Sequence, residues 1–530
     1  VNELNETLAL TNGKIWTGRG VARSVVMRGG RIVSVDGVVP GDARTIDLRG
    51  RLVVPGFMDN HLHFVTGSLQ LESLPLRGAR SLEEFVARIG DAAEKVGAGQ
   101  WVTGGGWDEQ SWMPASVPTR ASIDGVTRRN PVFVTRLDLH MGVANGAALR
   151  LAGITRETAD PAGGAIGRDA DGEPNGILKD TAMSLVTAIV PTPTIEERMG
   201  AMRRGLREAA RLGVTSFCDM GITPQAFDDF RAWQRLDRAG ELTARVWMYL
   251  PLDSWERLAE AGLERGFGSE RLRIGGLKVF ADGSLGSSTA AFREPYEGEP
   301  HHCGLLMGPM QDGTMGRWIA GADAGELQLA VHAIGDRANA EALALFEARP
   351  GHRERRFRIE HAQHLDAALT RRFAEGRVIA SMQPYHAIDD GRWAAARIGA
   401  QRAAWAFPFR SLLDAGAHVT FGSDWPVAPL SPLHGIYAAV TRRTLDGRNP
   451  EGWIPEQRIA VEEALRCYTA NNAWAVFAER EIGTIAPGMR ADLAVLSDDL
   501  FTIAPEGIEG VRVEMTIAAG RAVYGLDEAQ

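Results

Sequence analysis

The chain has 530 residues, of which 45% are hydrophobic and 24% charged, enough apolar matter for a large core and more than one domain. A formal net charge of -9, with no sustained block of Lys or Arg, argues against a nucleic-acid or anionic-membrane partner, and no apolar run is long enough to span a bilayer. Cys218, Cys303 and Cys467 are too few and too scattered for a disulfide framework or a cysteine-based zinc motif, so a reducing, cytoplasmic setting is expected. The chain begins at Val1 with no basic start followed by an apolar stretch, which implies processing or trimming of an initiator Met.

In chain order, the first fifty residues alternate short β-type runs with Gly turns at Asn12-Gly13, Gly29-Gly30 and Asp36-Gly37. The last fifty return to the same pattern in 487–496 and 511–520, so residues 1–55 and 480–530 are predicted to form one small β-sandwich domain from both chain ends. Between them, apolar strands alternate with helical periodicity. Ile195, Met199, Met202, Leu206 and Ala210 recur at spacings of three and four, the signature of an amphipathic helix. Strand candidates end at His61 and span 213–219, 244–250, 273–280, 327–332, 356–360, 378–383 and 418–423. Eight strands with intervening helices predict an α/β fold, a (β/α)8 TIM-type barrel over 56–479, interrupted at about 64–194 by an inserted subdomain.

Polar residues fall at the ends of those strands, where such barrels place their chemistry. His61 and His63 stand two apart, and in a strand residues i and i+2 face the same way, so both imidazoles can meet one cation. Lys278 sits in the apolar run 275–280, and His332, His361 and Asp424 each end a strand. Singly, each has a plainer reading: a hydrogen-bonded histidine, a lysine paired with an acid, an aspartate capping a turn. Together they form a nitrogen and oxygen donor set suited to zinc or a similar divalent cation.

The segments 55–63, 278–287, 332–336, 358–363 and 421–427, with Trp107-Asp108, Thr119-Arg120 and 483–493, resemble the amidohydrolase superfamily, and within it the YtcJ-type amidohydrolases that include N-substituted formamide deformylases. The resemblance implies that His61 and His63 bind one metal, that His332 and His361 bind a second, and that Lys278, carboxylated by carbon dioxide, bridges them. It also implies that Asp424 binds metal and shuttles the proton. The expected activity is metal-dependent hydrolysis of a C–N bond, outside peptides, in a small molecule. The apolar setting of Lys278 agrees with it, because a neutral amine is the form that reacts with carbon dioxide. One or two Zn2+ ions are expected, with other divalent transition metals open.

Weaker candidates are His140 and His386, each as readily a structural hydrogen-bonding residue as a substrate contact. Phe64, Trp107, Trp112, Tyr385 and Trp425 lie near the motifs and predict an aromatic substrate pocket. His364 reads as a surface residue, Asp336 as a turn residue or an acid orienting His332, and His301, His302 and Cys303 as loop residues. Two other functions use the same residues: an esterase or lactonase acting on a C–O bond, and a catalytically silent barrel with a binding or regulatory role. A homo-oligomer is compatible with the sequence, which does not define an assembly.

Overall fold

The computed structural model describes residues 6–525 except 72, 128 and 222–224. Eight parallel strands form its centre: β1 (Phe57–Leu62), β2 (Val214–Met220), β3 (Arg245–Pro251), β4 (Leu272–Phe280), β5 (Leu329–Ala333), β6 (Arg358–His361), β7 (Ile379–Met382) and β8 (Val419–Phe421), each paired with its neighbours in sequence order. All eight expected strands are present. The sheet is nearly closed, and side chains stitch the seam between β8 and β1: Asn60 Nδ2 donates to Thr420 Oγ1 at 2.7 Å, and Asn472 accepts from Phe421 N at 3.3 Å while donating to the carbonyls of Met58 and Phe421.

The helix Ile195–Arg211 shows why the outer ring forms where it does. Thr194 Oγ1 accepts from Glu197 N at 3.3 Å and Glu197 Oε2 accepts from Thr194 N at 2.7 Å, a reciprocal cap worth about 1 kcal/mol. Its buried face carries Met199, Met202, Leu206, Ala209 and Ala210. Gly205 sits against the helix Phe64–Gln70, and a Cβ there would lie 2.1 Å from Ser68 Oγ, so the close packing depends on the missing side chain.

The chain ends build two further sheets. One contains only N-terminal strands (Thr7–Thr11, Val25–Arg28, Arg31–Val35, Arg44–Asp47); the other joins Lys14–Trp16, Val21–Ala22 and Leu52–Pro55 to Leu493–Leu496, Val513–Ala518 and Arg521–Tyr524. Leu8, Met27, Val53, Leu493 and Ile517 share one core between them. The inserted segment carries a six-stranded mixed sheet running from Leu74–Pro75 to Pro174–Asp180, with its own core around Phe85, Trp107, Trp112 and Val134. That sheet ends over the barrel mouth. Asp138 accepts from Ser284 Oγ at 2.6 Å and Ser287 Oγ at 3.0 Å, and Lys179 Nζ donates to the Ser287 carbonyl at 2.8 Å, so the insert is tied to the loop after β4.

Candidate metal centre

His61 is the fifth residue of β1 and His63 follows the strand; their side chains meet Asp424, with His61 Nε2 at 3.3 Å and His63 Nε2 at 3.1 Å from its Oδ1. The fixing of the rings is more informative than the pair distances. His61 Nδ1 lies 2.6 Å from Glu360 Oε2, His63 Nδ1 2.9 Å from the Met220 carbonyl, His361 Nδ1 2.8 Å from Gln383 Oε1, and His332 Nε2 3.0 Å from the Gly283 carbonyl. Every one of these partners accepts, so in a neutral ring the proton is drawn to the tied nitrogen and the other nitrogen offers a lone pair. The rings stand close together, His61 to His361 at 5.0 Å and His332 to His361 at 4.5 Å between centroids.

Three buried atoms in this cluster have no hydrogen-bond partner: His61 Nε2, Asp424 Oδ1 and Lys278 Nζ. Unsatisfied buried polar atoms are rare in folded proteins and call for an explanation. Ligand atoms of His61, His361 and Asp424 all lie within 4.8 Å of one another, a spacing that suits one cation. The Lys278 ammonium is not paired with an acid; Nζ sits 3.8 Å from the centroid of the Phe280 ring, and burial pushes its pKa down to about 8 against the pull of Glu360 and Asp424. Burial likewise holds His332 and His361 well below the usual imidazole range. For Asp424 burial acts upward, but the adjoining His61 and His63 imidazoles, 3.3 and 3.1 Å from Oδ1, outweigh it and keep the carboxyl well below its usual range.

Support comes from beneath. Arg358, fully buried in the barrel, ion-pairs with Glu360 and also donates to the Asn60 carbonyl at 2.6 Å, Ser381 Oγ at 3.0 Å and Tyr249 Oη at 3.1 Å. Burial alone would raise the Glu360 carboxyl, but Arg358 and His61 hold it far below. Asp59, pushed up to about 6 by burial, accepts from Ser423 N at 3.0 Å and His61 N at 3.1 Å and so links β1 to the loop bearing Asp424. Two ligand candidates sit in the left-handed backbone region, His361 at φ 72° and Asp424 at φ 60°. Strain of this kind in residues other than glycine gathers where function needs it.

A cavity with two lobes opens on the cluster. One lobe, about 250 Å3, is walled by Leu139, Phe280, Met307 and Val427 beside His63, His140, His332 and Asp424. The other is polar, with Asp108, Arg136, Asp138, Asp389 and Asp390, and reaches Gln363 and Trp393. Arg136 is neutralised there by Asp108 at 3.1 Å, Glu109 at 2.8 Å and Asp138 at 3.0 Å.

The cluster therefore brings together His61, His63, Lys278, His332, His361 and Asp424, with His140 and His386 on the cavity wall and His386 Nε2 3.9 Å from Asp424 Oδ2. The expected aromatic pocket lies elsewhere. Phe64 stacks on Phe217 at 4.4 Å within the barrel's outer core, and Trp425 packs edge-on against it at 5.6 Å. Trp107 and Trp112 fill the core of the insert, their indole nitrogens donating to the Val134 and Ala79 carbonyls. Tyr385 faces His434, 6.4 Å between ring centroids, and none of these five lines either lobe. These rings are large apolar surfaces that the nearest core absorbs.

Two further expectations need correction. His364 is buried, not on the surface, in contact with Phe292 and pushed down to about 3 by burial. Asp336 accepts from Arg293 N at 2.9 Å, while the acid beside His332 is Asp282, 3.5 Å from its Nε2. Sequence reasoning gave no role to Glu360, Arg358 or Gln383. The available signal was Arg358 and Glu360 two apart in one strand, hence on one face of it. His302 holds its own loop, Nε2 lying 2.6 Å from the Ser288 carbonyl.

Comparison with known proteins agrees over nearly the full length. The chain is 37% identical to the protein LONG AFTER FAR-RED 3 of Arabidopsis thaliana (98% of this chain, 91% of that one). It is 31% identical to the putative amidohydrolase YtcJ of Bacillus subtilis (96% and 99%) and 29% identical to the N-substituted formamide deformylase of Arthrobacter pascens (95% and 95%). Among solved structures, an uncharacterized metal-dependent hydrolase from Pyrococcus horikoshii superposes with a TM-score of 0.76 at 29% identity, covering 94% of this chain and 99% of that one. The profile of Amidohydro_3, described as an amidohydrolase family, matches residues 44–524, and on that match this chain belongs to the family.

Proposed function

We propose that this protein hydrolyses a C–N bond of amide type in a small molecule carrying an apolar N-substituent, at a divalent metal centre. The observation that carries this reading is the gathering of His61, His361 and Asp424 ligand atoms within 4.8 Å of one another, with His61 Nε2, Asp424 Oδ1 and the nearby Lys278 Nζ buried and without a hydrogen-bond partner. His61, His63, His332, His361 and Asp424 would hold one or two Zn2+ ions. Lys278, as a carbamate formed with carbon dioxide, would add an anionic oxygen to this donor set, and its lowered pKa favours the free amine that this needs. A divalent cation so held supplies Lewis-acid polarisation of a carbonyl and lowers the pKa of water towards about 7.

The chain's own residues do the rest. Asp424 would accept the proton of the attacking water and return it to the departing amine nitrogen. Glu360, clamped by Arg358, and Gln383 keep His61 and His361 turned towards the centre. The lobe walled by Leu139, Phe280, Met307 and Val427 accommodates alkyl or aryl bulk. Likeness to a formamide deformylase supports N-substituted formamides as the first compounds to try. The three unpaired cysteines suit a reducing, cytoplasmic setting.

The test is metal analysis of protein made in zinc-replete medium, joined to a panel of formamides, acylated amino acids, cyclic imides, esters and lactones. About one to two ions per chain and a preference for apolar amides are expected. Full activity in metal-free protein, or a preference for esters or highly charged compounds, would overturn the reading.

A further inference from the structure

One side-chain pair on the cavity wall comes not from the barrel but from the insert. His140 precedes the strand Met141–Ala144 and Asp180 ends the strand Pro174–Asp180, and Asp180 N donates to the His140 carbonyl at 2.9 Å. Their side chains meet as well, with His140 Nδ1 2.6 Å from Asp180 Oδ1. His140 stands where the two lobes join, lining both, its ring centroid 5.0 Å from that of His332. The Asp180 side chain is 1% exposed, and its Oδ2 has no hydrogen-bond partner.

The pair is rigidly mounted. Asp138 Oδ1 accepts from His140 N at 3.2 Å while its other oxygen holds the serines of the loop after β4. That loop approaches so closely at Gly283 that a Cβ there would lie 2.9 Å from Asp180 Oδ1. Leu139, at φ 60°, and Asp180, at φ 48° and ψ -124°, both hold backbone conformations unfavourable for residues with side chains. Such strain persists only where surrounding structure enforces it, and it gathers at ligand-binding positions.

The carboxylate draws the imidazole proton to Nδ1, leaving Nε2 a lone pair towards the cavity. We infer that His140, positioned by Asp180, accepts a hydrogen bond from the N–H of a secondary amide and so selects such amides over tertiary amides and esters. This rests on reading the site as an amide hydrolase and adds the feature of the substrate that it recognises. A buried acceptor left unpaired by an ester or an N-methylated amide penalises that compound, which is how polar sites discriminate strongly between near-isosteres. The Asp424 shuttle and the metal ligands do not make this distinction, since a C–O substrate uses them equally.

Burial lowers the His140 pKa, but Asp180, Asp138 and Asp282 together raise it, so the test is run at about pH 9, well above the ordinary imidazole range. Rates are measured for N-benzylformamide, N-benzyl-N-methylformamide and benzyl formate with the zinc-loaded protein and with His140→Phe and Asp180→Asn. Asn tolerates the left-handed backbone but offers an N–H to Nδ1, which turns the tautomer over. Both variants are expected to keep zinc content and melting temperature and to cut kcat/KM for the secondary amide about tenfold or more relative to the other two compounds. Equal losses on all three, or unchanged ratios, overturn the inference. If the wild type hydrolyses none of them, the hydrolase reading fails for these compounds and calorimetry decides the inference separately. Tighter binding of N-benzylformamide than of its N-methyl derivative, abolished in His140→Phe, upholds it; equal binding or none overturns it.

Discussion

The barrel floor and the inserted wall meet at one cavity, yet they are built differently. On the floor, ligand candidates stand at strand ends in an order that the strand repeat dictates, and each imidazole is tied by a residue of another strand or loop of the barrel. On the wall, Arg136 and Asp180 come from strands of a separate sheet and Asp138 and His140 from the turn between two of them, and hydrogen bonds moor that sheet to the loop after β4. The floor is therefore suited to holding a cation, and the wall to contacting what enters the cavity.

The largest effect that divides them is removal of the metal. Chelation should abolish hydrolysis and zinc should restore it, while the insert keeps its fold, since its core of Phe85, Trp107 and Trp112 is independent of the ligand cluster. Lys278→Ala should behave alike, losing metal and activity, with partial rescue by a small carboxylate that occupies the vacated site. A high-resolution map with an unmodified ammonium at Lys278 in active, metal-loaded protein would refute the carbamate.

Next comes Asp424→Asn. It preserves shape but removes the base, so turnover should fall about a hundredfold or more with the fold intact. Near-normal turnover, measured by steady-state kinetics with matched metal content, would move proton transfer to another group, His386 being the nearest alternative on the wall.

A smaller effect is expected beneath the floor. Glu360→Gln leaves the Arg358 guanidinium buried without its anion, which should destabilise the fold by about 3–5 kcal/mol. By loosening His61 it should also weaken metal binding about 10- to 100-fold. Denaturant melts and zinc competition read the two separately. If metal affinity is unchanged, the tie at 2.6 Å between Glu360 and His61 does not orient the ligand.

How much of this was legible follows from the same division. Strand periodicity fixed where His61, His63, His332, His361 and Asp424 would stand, because alternation and strand ends are local properties of the chain. Glu360 and Arg358 were readable in principle from their i, i+2 spacing in one strand. Asp180 was not, since it lies 40 positions from His140 and meets it only through the antiparallel pairing of two insert strands. Aromatic residues misled for a physical reason. Proximity in sequence to a ligand motif says nothing about which face a ring takes, and the strand or helix after a motif presents one side to the cavity and the other to the core. Phe64 and Trp425 took the core side.

The smallest effect tests that last distinction directly. Met307 lines the apolar lobe, whereas Trp107 lies wholly inside the insert. Met307→Ala should lower kcat/KM for amides with bulky N-substituents by about tenfold and leave small formamides nearly unchanged, since a lost apolar contact in a pocket is worth about 1–3 kcal/mol. Trp107→Ala removes a much larger side chain, and its effect should appear as lost stability of about 3–5 kcal/mol with the bulky-to-small ratio preserved. A substrate series run on both variants at matched folded fraction separates the two. If Trp107→Ala shifts the ratio as much as Met307→Ala does, the insert core transmits its packing to the cavity wall and the two regions are not independent.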